Sequence, residues 1–597
     1  MVLNDMHGRD LMRIRIALFM MIGAFVFLIT ALWKIQIVNA GRYEVSLDKQ
    51  SIRRVRLPGV RGRILDRNGV CLADNRPSYC IAIFMDEIRQ LVKGENTTDK
   101  VEKVITELSE VLNIERQVTR KNIATHIRRR LPLQFLAWRD VDETVLARWA
   151  ESKDFPGVDV HVEPVRVYPQ GALAAHILGY VGKAELKQDQ EEPYHYYIPE
   201  MEGKRGIEAV MNNLLCGVPG GRMIRVDASG FKREKWRKKD PRPGMDIVLT
   251  IDSRIQRLAE RSIMGKRGAV VVLDPRNGDV LAMASSPSFD ANNISTDWRK
   301  WSLDKDRPLI NRVVSGIYPP GSTFKPIVAI TALVNGRATE HTEYSCPGYY
   351  DLGGVRFRCW RKSGHGRIAM RKSLEQSCNV YYCQLGLRCG HERIIHMADS
   401  IGFGRKTGID LMSESSGILP NNEWKVQLYN DAWRKGDTCN MSIGQGALSV
   451  TPLQMAVLTA ALANGGYVYR PRLLLDYHRE EGVLMNKLAW PADKLKIVTG
   501  GMHDVIQSDR GTGKRARIAD VEMAGKTGTA EYGLKTQGKK HAWMIVFAPF
   551  KRPRYAVAMV IEDAVSGGST AAPRIKELMK GIFEEVESNE ERVASRE

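Results

Sequence analysis

Ala269-Val270-Val271-Val272-Leu273, a turn at Asn277-Gly278, and Val280-Leu281-Ala282-Met283-Ala284 form the stretch from which the fold of this chain is read. Asn-Gly accepts the positive φ angles of a tight turn, so two apolar runs of strand length about it predict an antiparallel hairpin that opens a new domain. A second hairpin is predicted from Trp543–Ala548 and Tyr555–Ile561 about a turn at Lys551 to Pro553, followed by a terminal helix from about Ala572 to Val586. The sequence between the hairpins is largely helical and loop-rich. Strands from both ends are therefore expected to pair in one antiparallel sheet packed with helices, an α+β domain over residues 251–586.

Upstream, residues 41–250 mix short strands, turns and polar helical stretches such as Lys100–Leu112, the pattern of a non-catalytic module. Before it, Ile16–Trp33 is an uncharged run of 18 residues. At ~1.5 Å per residue it crosses most of a ~30 Å hydrocarbon core, so residues 16–38 are expected to be a transmembrane anchor. Arg9, Arg13 and Arg15 precede the run and Lys34 follows it, which places residues 1–15 in the cytoplasm and the remainder outside. A cleaved signal peptide is the competing reading, because Val38-Asn39-Ala40 before Gly41 loosely resembles a cleavage site. The run is longer than the usual ~7–15 residues of a signal core, however, and Lys34 and Gln36 interrupt the approach to the site. Residues 587–597 form a charged tail, with fraying expected from Glu584 onward.

The composition of the 597 residues, 43% hydrophobic and 26% charged, excludes wholesale disorder and a polytopic membrane protein. A net charge of +20 attracts anionic partners of any kind and identifies none. Nine cysteines are too few for a disulfide scaffold, but export permits disulfides. Cys71 and Cys80 flank Asn75-Arg76-Pro77 and are expected to be brought together by a hairpin there.

Pro320-Gly321-Ser322-Thr323-Phe324-Lys325-Pro326 runs into Ile327–Leu333, which is apolar on nearly every face and reads as a buried helix with Ser322 at its start. Residues three apart share a helix face, so the Lys325 amine can reach the Ser322 hydroxyl. An amine acts as a base near neutral pH only if burial or nearby positive charge lowers its pKa from ~10.4. The same spacing recurs at Ser46–Lys49, Ser229–Lys232 and Ser302–Lys305, none of which leads an apolar helix. Two further elements single out Ser322: Ser377-Cys378-Asn379, and Lys526-Thr527-Gly528-Thr529. Lys406-Thr407-Gly408 repeats the lysine tripeptide within a Gly-rich loop and reads as structural. The later copy is preferred because Gly525 and Gly528 permit close backbone approach and apolar strands follow.

This ordered triplet, SxxK, SxN and KTG, resembles that of the penicillin-binding proteins and serine β-lactamases. Outside it, Arg61-Gly62-Arg63-Ile64-Leu65-Asp66-Arg67-Asn68-Gly69, Arg166-Val167-Tyr168-Pro169, Ala175-His176-Ile177-Leu178-Gly179-Tyr180 and Gly203 to Glu208 resemble the pedestal motifs of class B penicillin-binding proteins, most closely their elongation-type penicillin-binding protein 2 group. The resemblance implies a single-pass inner-membrane enzyme with a periplasmic catalytic domain that cross-links peptidoglycan stem peptides and is inhibited by β-lactams. It implies that Ser322 attacks the D-Ala-D-Ala carbonyl and Lys325 takes its proton. Ser377 and Asn379 would relay protons and position the substrate, and Lys526 and Thr527 would bind the terminal carboxylate. Gly528 completes the element, and backbone N–H groups of Ser322 and Thr529 would form an oxyanion hole. Partners implied are a SEDS glycosyltransferase of the RodA type and an MreC-like scaffold, with no nucleic acid.

Cys346, Cys359, His365 and Cys378 lie between SxxK and SxN in a spacing that matches no zinc-finger pattern, and buried thiols are the alternative. Elongation-type relatives can carry a metal here, and three thiolates with one imidazole favour structural zinc. Rival readings are a division-type class B enzyme, a β-lactam sensor or scaffold without turnover, and a β-lactamase. The last is disfavoured because the E-x-x-L-N element of class A enzymes is absent.

Overall fold

A computed structural model describes residues 3–41, 52–91, 96–129, 133–152, 155–184, 195–197, 201–226, 232–475, 481–532 and 538–588. The Ser46–Lys49 repeat, Ser229 and tail residues 589–597 lie outside these. In chain order the C-terminal domain contains α1 (Ser253–Ile263), β1 (Gly268–Leu273), β2 (Val280–Ser286), α2 (Lys325–Val334), α3 (Asn379–Cys389), α4 (Lys435–Ser442), α5 (Pro452–Asn464), β3 (Ala524–Glu531), β4 (Lys540–Ala548), β5 (Tyr555–Ile561) and α6 (Ala572–Gly581).

The turn between β1 and β2 forms as the sequence predicts: Gly278 has φ +82°, and Asn277 Oδ1 accepts the Asp279 N–H at 2.9 Å. The two ends of the domain meet in one antiparallel sheet of order β2-β1-β5-β4-β3. Its central strands lack polar alternation because both faces are covered. Val271, Leu273, Ala558 and Ile545 point into one cluster with α2 and α5, while Val270, Val272, Val557 and Met544 point into another with α1 and α6. Each such fully buried Val or Ile contributes about 1.5–3 kcal/mol by leaving water. β3 ends the sheet order, so one of its edges is not taken up by a neighbouring strand. The terminal helix continues past α6 as a wider turn over Ile582–Glu587, with Glu587 paired to Arg554 at 2.9 Å. The first residues of the expected frayed tail, 584–587, are thus helical, and residues 589–597 lie outside the described ones.

In the N-terminal module, Cys71–Ile83 is one continuous strand whose residues 74–83 pair with Val158–Val167, while Cys71 and Ala73 pair with Leu65 and Ile64. This corrects the expected hairpin between Cys71 and Cys80, which sit near opposite ends of the same strand; both are free thiols. Nine residues of extended chain separate them by about 30 Å, which rules out a bond within one chain. Pro77 faces Pro164 in the ladder, so neither residue brings an N–H donor to this pair. The helix Thr97–Leu112 is capped by Asn96 and buries Val101, Ile105, Leu108 and Leu112 along one face.

The two modules are joined by the Arg61–Gly69 segment. Ile64-Leu65 pairs in parallel with Ile247-Val248, Arg67 N–H donates to Ile251 O at 2.9 Å, and Asp66 Oδ2 accepts the Ser253 N–H at 3.0 Å, at the start of α1. Ile64, Leu72, Leu178 and Ile207 share one apolar cluster with Leu273, Val280 and Phe324. Within the pedestal, Glu208 accepts from Arg61 Nε at 2.5 Å and Arg166 Nε at 2.6 Å, all three buried. At the N-terminus, Met12–Val38 is the one helix among the described residues that is long and apolar enough to cross a membrane, and none of it is buried.

Candidate active site

Ser322 lies on a tight turn, Gly321–Phe324, that runs directly into α2, with Pro326 in the first helical turn where its missing N–H costs nothing. The turn is held from two sides. Gly321 N–H donates to Gly444 O at 2.8 Å, and a Cβ on Gly444, which has φ +72°, would fall 1.9 Å from Gly321 O. On the other side a Cβ on Gly528 would lie 2.9 Å from Pro320 O. Only glycine allows either approach. Ser322 is half-buried, and among the described residues its hydroxyl has no hydrogen-bond partner.

Lys325 is fully buried and donates to Ser377 O at 2.8 Å, Ser377 Oγ at 3.2 Å and Asn379 Oδ1 at 2.8 Å. Lys526, also fully buried and 149 residues from Ser377 in sequence, donates to the same Ser377 Oγ at 2.9 Å. Two lysines and one serine hydroxyl thus converge. Burial pulls the Lys325 amine down to about 8, against the opposing effect of the Cys378 and Cys359 sulfurs. Burial, and then the charge of Lys325, hold Lys526 well below the ordinary lysine range. Ser377 has φ +55°, a left-handed conformation that costs a non-glycine residue about 1–2 kcal/mol. That turn aims both its carbonyl and its hydroxyl at Lys325.

Lys526, Thr527, Gly528 and Thr529 lie on β3, in register with Ile545, Met544, Trp543 and Ala542 of β4. Thr527 Oγ1 pairs with Thr512 Oγ1 at 2.7 Å, and Thr529 O accepts from Gln445 Nε2 at 3.3 Å. Gly444, Gln445 and Thr512 were not anticipated from sequence; the two glycines flanking Gln445 are the signal of close approach that could have marked this loop. In the repeat at Lys406, by contrast, the Thr407 and Gly408 N–H groups both donate to Glu414, so the tripeptide closes a structural turn away from Ser322.

Cys346, Cys359, His365 and Cys378 come together with donor atoms all within 4.8 Å of one another. The Sγ atoms of Cys346 and Cys359 lie 3.6 and 3.5 Å from His365 Nδ1. Tetrahedral bonds of ~2.3 Å to sulfur and ~2.0–2.1 Å to nitrogen set such donors about 3.5 Å apart, so the spacing fits one tetrahedral cation. Cys378 caps α3, accepting the Tyr381 N–H at 3.4 Å, while the Cys359 sulfur beside it and burial push its own thiol well above the ordinary range. Cys378 also donates a hydrogen bond to Cys359, which lowers the Cys359 pKa. A cation would take the place of that shared proton. The cluster abuts the catalytic loop: Asn379 Nδ2 donates to Arg358 O at 3.2 Å and Trp360 Nε1 to Gln376 O at 2.9 Å.

Residues 268–580 match the family described as the penicillin binding protein transpeptidase domain, and residues 56–249 match the penicillin-binding protein dimerisation domain. The peptidoglycan D,D-transpeptidase MrdA of Acinetobacter baumannii is 36% identical over 583 residues, covering 92% of this chain and 84% of its own. A penicillin-binding protein from Helicobacter pylori, solved in complex with MreC, is similar with a TM-score of 0.75 at 29% identity, over 90% of this chain and 99% of its own. A chain from a peptidoglycan synthase complex that coordinates polymerization and crosslinking gives a TM-score of 0.70 at 28% identity, over 95% of this chain and 97% of its own.

Proposed function

The chain belongs to the class B penicillin-binding proteins, in their elongation-type branch, and from that premise we propose that it is a serine D,D-transpeptidase that cross-links stem peptides during cell-wall elongation. The observation that carries the reading is the convergence of Lys325 and Lys526 on Ser377 Oγ beside the Ser322 turn. In this reading Ser322 Oγ attacks the carbonyl between the two terminal D-Ala residues, and neutral Lys325 accepts its proton. The proton passes by way of Ser377 to the leaving D-Ala amine. An amine of a neighbouring stem peptide then resolves the acyl-enzyme. Lys526, with no carboxylate beside it among the described residues, gains a counterion when the substrate carboxylate arrives; its restored charge then disfavours protonation of Lys325, so donor binding arms the base. The N–H groups of Ser322 and Thr529 face the developing oxyanion.

The division proposed for the chain is a tail over 1–15, an anchor over 16–38, a pedestal over 41–250, a catalytic domain over 251–586 and a tail over 587–597, with the catalytic domain in the periplasm. The Helicobacter relative's MreC complex supports an MreC-like scaffold as partner, and the polymerizing synthase complex supports a glycosyltransferase of the RodA type. Zinc is the proposed occupant of the Cys346, Cys359, His365 and Cys378 cluster, in a structural role, because four protein ligands leave no open position.

Incubation with a fluorescent penicillin should give one covalent adduct, located on Ser322 by mass spectrometry and lost in Ser322→Ala. Lys325→Met should abolish labelling while the protein still melts cooperatively. An adduct that persists in Ser322→Ala removes the reading.

A further inference from the structure

Two thiols near the site take no part in it. Cys383 lies in the middle of α3, the helix that Asn379 begins, and Cys439 lies in α4, which leads into Gly444 and Gln445. Both are fully buried. Each Sγ is 3.9 Å from the carbonyl oxygen of the other residue, a reciprocal arrangement that puts both side chains in one gap between the helices. The helices are close there, because a Cβ on Gly386, one turn further along α3, would lie 1.8 Å from Ser442 Oγ, one turn further along α4. A disulfide requires a Cα separation of roughly 4.4–6.8 Å, which only closely packed helices such as these provide. Neither residue belongs to the Cys346, Cys359, His365 and Cys378 cluster.

We propose that Cys383 and Cys439 are joined by a disulfide in the exported protein, stapling α3 to α4. One thiolate attacks the disulfide of a protein or small-molecule donor and releases the first donor thiol. The second cysteine attacks the resulting mixed disulfide and releases the other. Two electrons pass to the donor and two protons end on its sulfurs. Because both cysteines are buried in the folded domain, the exchange takes place before the helices close over them, and the bond is afterwards shielded from reductants. The staple ties the wall that carries Asn379 to the loop that holds the Ser322 turn and the Thr529 strand.

The test uses the full-length protein solubilised from membranes of cells that export it, denatured in chelator and alkylated before or after reduction. Peptides containing Cys383 and Cys439 should be linked, two hydrogens lighter than their sum, and alkylated only after reduction. Alkylation of both cysteines in the bulk of the unreduced protein overturns the proposal. In Cys383→Ser, Cys439 should become freely alkylated; continued protection would assign it another partner and equally overturn the proposal. The penicillin adduct on Ser322, read from the same sample, reports separately on the proposed activity. If the variant fails to fold, the linked peptide of the unaltered protein decides alone.

Discussion

At the scale of single residues, the chemistry rests on how little water reaches two amines. A Lys325 pKa of about 8 raises the neutral fraction at pH 7 from roughly three in ten thousand, for an unshifted lysine, to roughly one in ten. The neutral amine is the active form, so the rate of penicillin acylation should rise with pH by up to about tenfold per unit below 8 and level off above it. Stopped-flow acylation from pH 6 to 9 measures this, and a rate flat across that range would exclude Lys325 as the base. The i,i+3 spacing places Ser322 and Lys325 at the start of one helix, but the Lys325 amine turns to Ser377 and Asn379, and among the described residues the expected contact with the Ser322 hydroxyl is not made. The meeting of Lys526 with Ser377 was legible only as a motif, since 149 residues separate the two and their contact depends on the sheet edge docking against the SxN loop. Gly444 and Gly446 mark a loop of close approach in the sequence, but what Gly444 approaches is visible only once Gly321 lies against it.

At the scale of elements, the four-residue cluster works as a clasp on the SxN loop. Ser377 holds a left-handed backbone that the loop would not adopt unaided, and Cys378 follows it directly. Elemental analysis of the purified protein should find one zinc per chain. Exhaustive chelation, or Cys378→Ser, should lower the melting temperature and slow acylation at Ser322, whereas Cys216→Ser in the pedestal should do neither. Unchanged melting and acylation after complete metal removal would leave a group of buried thiols. Both hairpins of the C-terminal sheet were legible from apolar runs around turn residues, since those strands are buried on both faces. The Cys71–Cys80 segment misled because Asn-Arg-Pro has the local chemistry of a turn, while ten ladder partners on Val158–Val167 hold it extended. Long-range pairing overrode local preference there.

At the scale of the whole molecule, two stretches far apart in sequence converge on the Glu208 carboxylate. Arg61, from the joint between the modules, and Arg166, from the long paired strand, both direct their guanidinium groups at it. Removing one partner of such a buried cluster strands charge out of water and costs about 3–5 kcal/mol. Glu208→Ala should therefore lower stability by about that amount in chemical denaturation, while the protein that remains folded still acylates Ser322. A loss below about 1 kcal/mol would mean that the arginines find water instead. The continuous apolar cluster from Ile64 and Leu178 through to Phe324 carries a further consequence. From Ile64 to Phe324 base and head share one seam that would have to open for either to turn on the other, whereas Val55 of the first pedestal strand packs in a separate cluster with Leu133 and Ile224. The strands to be joined must be brought to a head seated on that part of its base.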